Sequence, residues 1–262
     1  MSAKQFPNSE PISAKRKSKP EPYRGPLTPH TAATGIAAAK SNAKRLFEDA
    51  QLLLEKQRFP SACALAALSI EEISKPAFIR KLLLAESPEQ VRKSWLLFAS
   101  HHDKAAPWIV PSLIASQPET YEDFVEQFMR TRDPVLLDSL KQLSIYLGCY
   151  GACHWAAPVE VIATEQADAV IASARILILS GQVSELDSPA GLALWKTHMK
   201  GCFSVGYVTA NDMIIQFFSK AHAAGLLEDS RIPTSVAFDF MSTALALSDG
   251  EAAEQKRIYG IQ

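Results

Sequence analysis

At 262 residues the chain is longer than the ~100–200 typical of one domain, so it suits either one large helical unit or a domain with an appendage. Its 27 Lys and Arg against 28 Asp and Glu leave a net charge of −1, which excludes nucleic-acid binding by bulk positive charge and confines any polyanion site to a local patch. Glycine is scarce, at 11 residues, alanine and leucine are plentiful, and strand-length alternation of Val, Ile and Thr is hard to find, so the expected fold class is all-α.

Residues 1–30 carry six prolines and six basic residues against Glu10 and Glu21, a net +4 that leaves −5 for the rest of the chain. With almost nothing large and apolar to bury, this stretch is expected to be a disordered tail. From Thr31 the pattern turns helical. Thr31 or Thr34 can cap a first helix that sends Ile36, Phe47, Ala50 and Leu54 toward a core and ends near Phe59-Pro60. Pro60 opens a second helix, apolar on nearly all sides from Ala62 to Leu68, which belongs at the centre of a bundle. Pro76 removes a ladder bond and clashes with the carbonyl of Glu72, predicting a kink beside Lys75.

Ser87-Pro88 starts a third helix, with Val91, Trp95, Phe98 and His102 on one face and Leu97, His101 and Lys104 on the next, before Pro107 and Pro111 end it. Residues 107–120 read as a loop and Tyr121 to Arg130 as a short amphipathic helix. Asp133-Pro134 begins a longer helix in which Leu136, Leu140, Leu143, Leu147, Tyr150 and His154 recur at helical spacing up to Trp155-Ala156-Ala157-Pro158. Further helices are predicted over Glu165–Ser180, Pro189–Met199, Cys202–Ala224 and Ser235–Leu247. The expected division is a tail (1–30), a helical bundle (31–182) and a C-terminal helical extension packed on it (183–262). Cys63, Cys149, Cys153 and Cys202 form no Cys-x-x-Cys, and the expectation is core thiols, with Cys149 and Cys153 four apart on one helix. No apolar run reaches the ~18–20 residues that span a bilayer and no apolar leader follows the N-terminus, so a cytoplasmic protein without membrane contact is expected.

Chemistry concentrates in two clusters set in apolar helices: Ser69-Ile70-Glu71-Glu72-Ile73-Ser74-Lys75 and Phe98-Ala99-Ser100-His101-His102-Asp103-Lys104. Buried charge costs several kcal/mol unless paired. Glu71 and Glu72 stand four and three residues before Lys75, so an ion-paired network is expected, either as a site or as a device that fixes bundle register. His101 is the candidate acid or base, since an imidazole exchanges protons near neutrality and an adjacent carboxylate would orient it. Lys104, a turn on, can hold a phosphate. His102 shares the face of Trp95 and Phe98 and reads as a core histidine or a substrate contact. Two Glu and two His could hold a metal, but HExxH and ExxH spacings are absent, so neither metal nor other cofactor is expected.

These clusters, followed by Lys141, Tyr146 and Trp155-x-x-Pro158, resemble the AbiV family of bacterial abortive-infection proteins over roughly Ala38 to Ser180. That family is grouped with the HEPN superfamily of helical bundles, many of them RNA-cutting toxins. The resemblance implies a HEPN-like bundle, a role in antiphage defence, pairing as a homodimer, and a pocket to which Lys141, Tyr146 and Trp155 contribute. From the residues alone, Tyr146 and Trp155 are most simply large core side chains. Active HEPN ribonucleases typically carry an arginine, four to six residues, then a histidine. Only Arg24 and His30, in the tail, have that spacing here.

Two functions follow as expectations. The first is an abortive-infection toxin acting on RNA or the translation machinery, triggered by a phage protein. As a metal-independent ribonuclease it would use His101 to take the proton of a ribose 2′-hydroxyl, Lys104 to stabilise the phosphorane, and Glu71 and Glu72 to fix both. The alternative is a non-catalytic module that binds a nucleotide or RNA at the same pocket and regulates a partner.

Overall fold

The computed structural model describes residues 21–100, 134–180, 184–201 and 207–227. Among them, helices α1 (Pro29–Glu55), α2 (Phe59–Ile73), α3 (Lys75–Leu84), α4 (Pro88–Ala99), α5 (Pro134–Ile145), α6 (Pro158–Val161), α7 (Thr164–Ser180), α8 (Pro189–His198) and α9 (Tyr207–Ala223) are joined by one small hairpin, β1 (Gly148–Tyr150) and β2 (His154–Ala156). Among the described residues the fold is all-α with this single two-stranded exception. No helix among the described residues is long and apolar enough to cross a membrane.

Local chemistry sets the helix ends. Thr28, not Thr31 or Thr34, caps α1: its hydroxyl accepts from the Thr31 N–H while the Thr31 hydroxyl accepts from the Thr28 N–H, and Pro29 supplies the first helical position. Thr34 instead donates to the His30 carbonyl at 3.1 Å. Ser87 and Gln90 form the equivalent reciprocal cap on α4, again ahead of a proline. The predicted break at Pro76 is present: α2 stops at Ile73, Ser74 donates its hydroxyl to the Ile70 carbonyl at 2.7 Å, and α3 resumes at Lys75 with Pro76 in its first turn.

α2 lies at the centre, packed against α1, α5 and α7. Ala62, Cys63, Ala66, Ala67 and Ile70 meet Ala43, Phe47 and Ala50 of α1, Leu137 of α5, and Ala167, Val170, Ile171 and Ala174 of α7. Small alanines on both sides let these helices approach closely, which explains why so apolar a segment is poor in large side chains. A second apolar cluster sits at the other end of α1. There Ala32 and Ile36 pack with Ile79 and Leu83 of α3, Leu186, Leu192 and Trp195 of the α8 region, and Ile214 and Phe217 of α9. Trp195 and Phe217 meet edge to face, with ring centroids 5.0 Å apart. Every residue of α3 from Pro76 to Leu84 is buried, so α3 is as enclosed as α2.

Two differences from the sequence reading concern the site. The helix expected to run from Pro134 to Trp155 stops at Ile145, and Gly148 to Ala156 fold back as a hairpin with Cys149 opposite Trp155 and Tyr150 opposite His154. Gly148 and Gly151 each cost a helix about 1 kcal/mol, and Gly151 adopts a φ of 54°, which a turn needs and a helix forbids. Likewise α4 ends at Ala99, with Ser100 already extended, and Val91, Trp95, Leu97 and Phe98 lie on it, whereas the expected faces also included His101, His102 and Lys104. Those three residues lie outside the described ones, as do the loop and short helix expected over 107–130, the helix over 235–247, and residues 1–20. The later part of the expected tail touches α4 at Trp95: its indole N–H donates to the Gly25 carbonyl at 3.0 Å, and Tyr23 meets its ring.

Candidate functional site

Glu71 and Glu72, neighbours in sequence, face different ways. Glu71, 3% exposed, points across to α5 and accepts from the Lys141 ammonium at 2.5 Å. Lys141 also pairs with Asp138, at 2.7 Å, one turn before it. Burial alone pulls the Lys141 ammonium down, but its hydrogen bonds to Asp138 and Glu71 and their negative charge more than offset this and hold its pKa above the ordinary lysine value. This bridge ties α5 to α2, the helix that carries Cys63, whose thiol is buried and pushed up by that burial against a hydrogen bond with Ser144 of α5.

Glu72 instead faces an open groove between α1, α3 and α4. It accepts from Lys75 at 2.5 Å across the break between α2 and α3, with both side chains one-fifth exposed. The groove encloses about 430 Å³ and is walled by Thr31, Gly35, Ala38 and Asn42 of α1 on one side and by Trp95 and Phe98 of α4 on the other. The aromatic wall carries cations. Lys75 Nζ stands 5.5 Å from the Phe98 ring centroid and the Arg24 guanidinium 5.8 Å from that of Trp95. Trp95 and Phe98 contact each other edge to face at 5.3 Å, and Tyr23 closes on Trp95 in the same way at 6.2 Å. Aromatic surface, an ammonium, a carboxylate and the Asn42 amide thus converge on one open cleft.

The structure therefore brings Glu72 and Lys75 together in the groove and sends Glu71 and Lys141 to a separate, buried bridge. Tyr146 and Trp155 are neither core nor groove residues: they are exposed, at 62% and 61%, Tyr146 just before the hairpin and Trp155 in its second strand. Cys149 and Cys153, expected as core thiols on a helix, are exposed on that hairpin, and of the described cysteines only Cys63 is buried. No group of three or more His, Cys, Asp or Glu side chains placed to hold a metal occurs among the described residues.

One charged cluster escaped the sequence reading altogether. Asp187, just after Leu186, accepts from Lys40 of α1 at 2.6 Å and from Arg80 of α3 at 2.5 Å, all three nearly inaccessible. The signal was available: Lys40 follows Ile36-Ala37-Ala38-Ala39, and Arg80-Lys81 interrupt an otherwise apolar helix. What the sequence could not supply was the partner, 107 residues downstream of Arg80.

No curated protein and no solved structure matches the chain. The family model HEPN_AbiV, described as AbiV, matches residues 31–179, the span from the first turn of α1 to the end of α7 and more than half of the chain. With its helical bundle around α2, the protein belongs to the AbiV family of HEPN-like proteins.

Proposed function

We propose that the protein serves abortive-infection defence against phage, the role its family suggests, and that it does so by engaging RNA through the groove between α1, α3 and α4. The observation that carries the RNA reading is the cation-bearing aromatic wall, Arg24 against Trp95 and Lys75 against Phe98. Single-stranded nucleic acid is held by this combination, with bases stacked on aromatic faces at ~1–3 kcal/mol each and phosphates on nearby cations. Glu72 positions Lys75 and leaves other N–H bonds of its ammonium for a phosphate oxygen. A local site of this kind suits a chain whose overall charge is only −1.

In the catalytic form of this reading, His101 takes the ribose 2′-hydroxyl proton and Lys104 meets the charge that develops on phosphorus. Ser100, the last residue before His101, caps α4 two residues beyond Phe98 of the groove wall. The second reading, a module that binds RNA without cutting it, rests on the same groove, whose aromatic wall and ammonium can hold RNA without a catalytic residue. In either form the protein works as a cytoplasmic homodimer that responds to a phage component. The exposed side chains of Tyr146, Leu147, Tyr150 and Trp155 offer apolar surface for the pairing. Incubating purified wild type and His101→Ala with total RNA separates the forms. Fragments from the wild type alone mark a ribonuclease, intact RNA retained by both marks the binding module, and failure of both to retain or cut RNA overturns the RNA reading.

A further inference from the structure

The hairpin between α5 and α6 carries chemistry that the groove does not use. Cys149 lies in β1 and Cys153 ends the three-residue connection to β2, and their sulfurs approach to 3.9 Å. Both side chains are exposed and both thiols are free. The backbone is bent to bring them together: Gly151 has a φ of 54° and Cys153 itself a φ of 69°, a left-handed conformation that a side-chain-bearing residue adopts only at a cost. Two thiols are too few for a closed zinc site, which needs four ligands, and no group of three or more potential ligands occurs among the described residues.

We propose that Cys149 and Cys153 form a redox-active dithiol that closes reversibly to a disulfide by exchange with a small-molecule disulfide of the glutathione class. One thiol gives up its proton and attacks a sulfur of glutathione disulfide, forming a mixed disulfide and releasing one glutathione thiolate. The second thiolate then attacks the protein sulfur of that mixed disulfide and expels the second glutathione. The protein loses two protons and two electrons, and one glutathione disulfide becomes two glutathione thiols. The two sulfurs, 3.9 Å apart on exposed side chains, are already neighbours, and the disulfide brings them to about 2.0 Å.

The bond has a structural consequence. A two-stranded hairpin of three-residue strands is marginal by itself. Cross-linking Cys149 to the far end of the turn clamps the register in which Cys149 faces Trp155 and Tyr150 faces His154. Oxidation therefore fixes Tyr150 and Trp155, both more than half exposed, as a surface, and reduction releases them. In reducing compartments disulfides are transient and serve catalysis or redox sensing, which is the use expected of an exposed pair. Cys63, buried on α2, serves as the unreactive internal reference.

The test equilibrates the full-length protein in glutathione buffers of graded ratio, traps free thiols with a maleimide, and reads intact mass and peptide maps. The wild type is expected to lose two free thiols together, to yield a peptide linking Cys149 to Cys153 with no glutathione attached, and to recover both thiols on reduction. Cys153→Ser and Cys149→Ser should each hold one glutathione at the remaining cysteine, because the resolving thiol is gone. Four results would overturn the proposal: two separate glutathione adducts on the wild type; a wild type still reduced where Cys153→Ser is glutathionylated; linkage of either cysteine to Cys202 or to a second chain; or zinc retained on both thiolates against exchange.

Discussion

Adjacent residues of an α-helix point about 100° apart, and that single fact separates Glu71 from Glu72. The sequence shows that both carboxylates in so apolar a helix need partners, and both have them: Lys141 at 2.5 Å for Glu71 and Lys75 at 2.5 Å for Glu72. It does not show that the partners belong to two places, because Lys141 comes from a helix 70 residues away whose rotation against α2 is set by packing. The buried bridge is expected to behave as a stability element. Lys141→Met should cost about 3 kcal/mol, because it strands a carboxylate in the core, and a Glu71→Leu, Lys141→Met pair should recover much of that loss. A double-mutant cycle by urea unfolding should give a coupling of about 1–3 kcal/mol; a value near zero would mean that the bridge is idle. The pH dependence has a definite sign. The folded-state pKa of Lys141 is raised, so its contribution is complete below the unfolded lysine value of about 10.4 and is lost as pH rises through the folded value. The stability gap between wild type and Lys141→Met should therefore narrow as pH rises through that folded value; a gap unchanged across strong alkali would contradict the assignment.

At the scale of elements, the α4 cap and the Pro76 break were legible, while the α1 cap stands at Thr28, three residues before the earliest expected one, and tertiary direction was not legible. Ser87-Pro88 and Pro76 act through bonds within a few residues, so their helix start and helix break stand where the sequence puts them. The region from Leu136 to His154 misled because its apolar spacing continues through Gly148 and Gly151, and periodicity carries no penalty for glycine. Glycines elsewhere matter for a different reason. Gly191, at the start of α8, has no room for a side chain: a Cβ there would lie 2.5 Å from the Leu186 carbonyl oxygen and 2.7 Å from that of Glu185. Backbone cannot move aside cheaply, so Gly191→Ala should destabilise by about 1–3 kcal/mol and loosen the turn that aims Asp187 at Lys40 and Arg80. Gly148→Ala meets only the exposed ring of Tyr150, which can swing away, and should cost less. Thermal unfolding of the two variants checks the order, and equal losses would contradict it.

Across the whole molecule, α1 is the shared wall of two cores, one with α2, α5 and α7 and the other with α3, α8 and α9. The all-α class and the central place of α2 could be read from composition and from the run Ala62 to Leu68. The groove could not, since it exists only where α1, α4 and the junction of α2 with α3 meet. That groove as an RNA site is the central claim, and Lys75 tests it most directly. Its pair with Glu72 is one-fifth exposed and spans one turn, so Lys75→Ala should change stability by no more than about 1 kcal/mol. Loss of a phosphate-binding ammonium from the aromatic wall should nevertheless weaken single-stranded RNA binding about tenfold, equivalent to ~1.4 kcal/mol. Fluorescence anisotropy with a labelled single-stranded RNA, run beside urea unfolding of the same preparations, measures both. A folded Lys75→Ala that binds RNA about tenfold more weakly than wild type is the predicted result, and one that binds it equally well would contradict the claim.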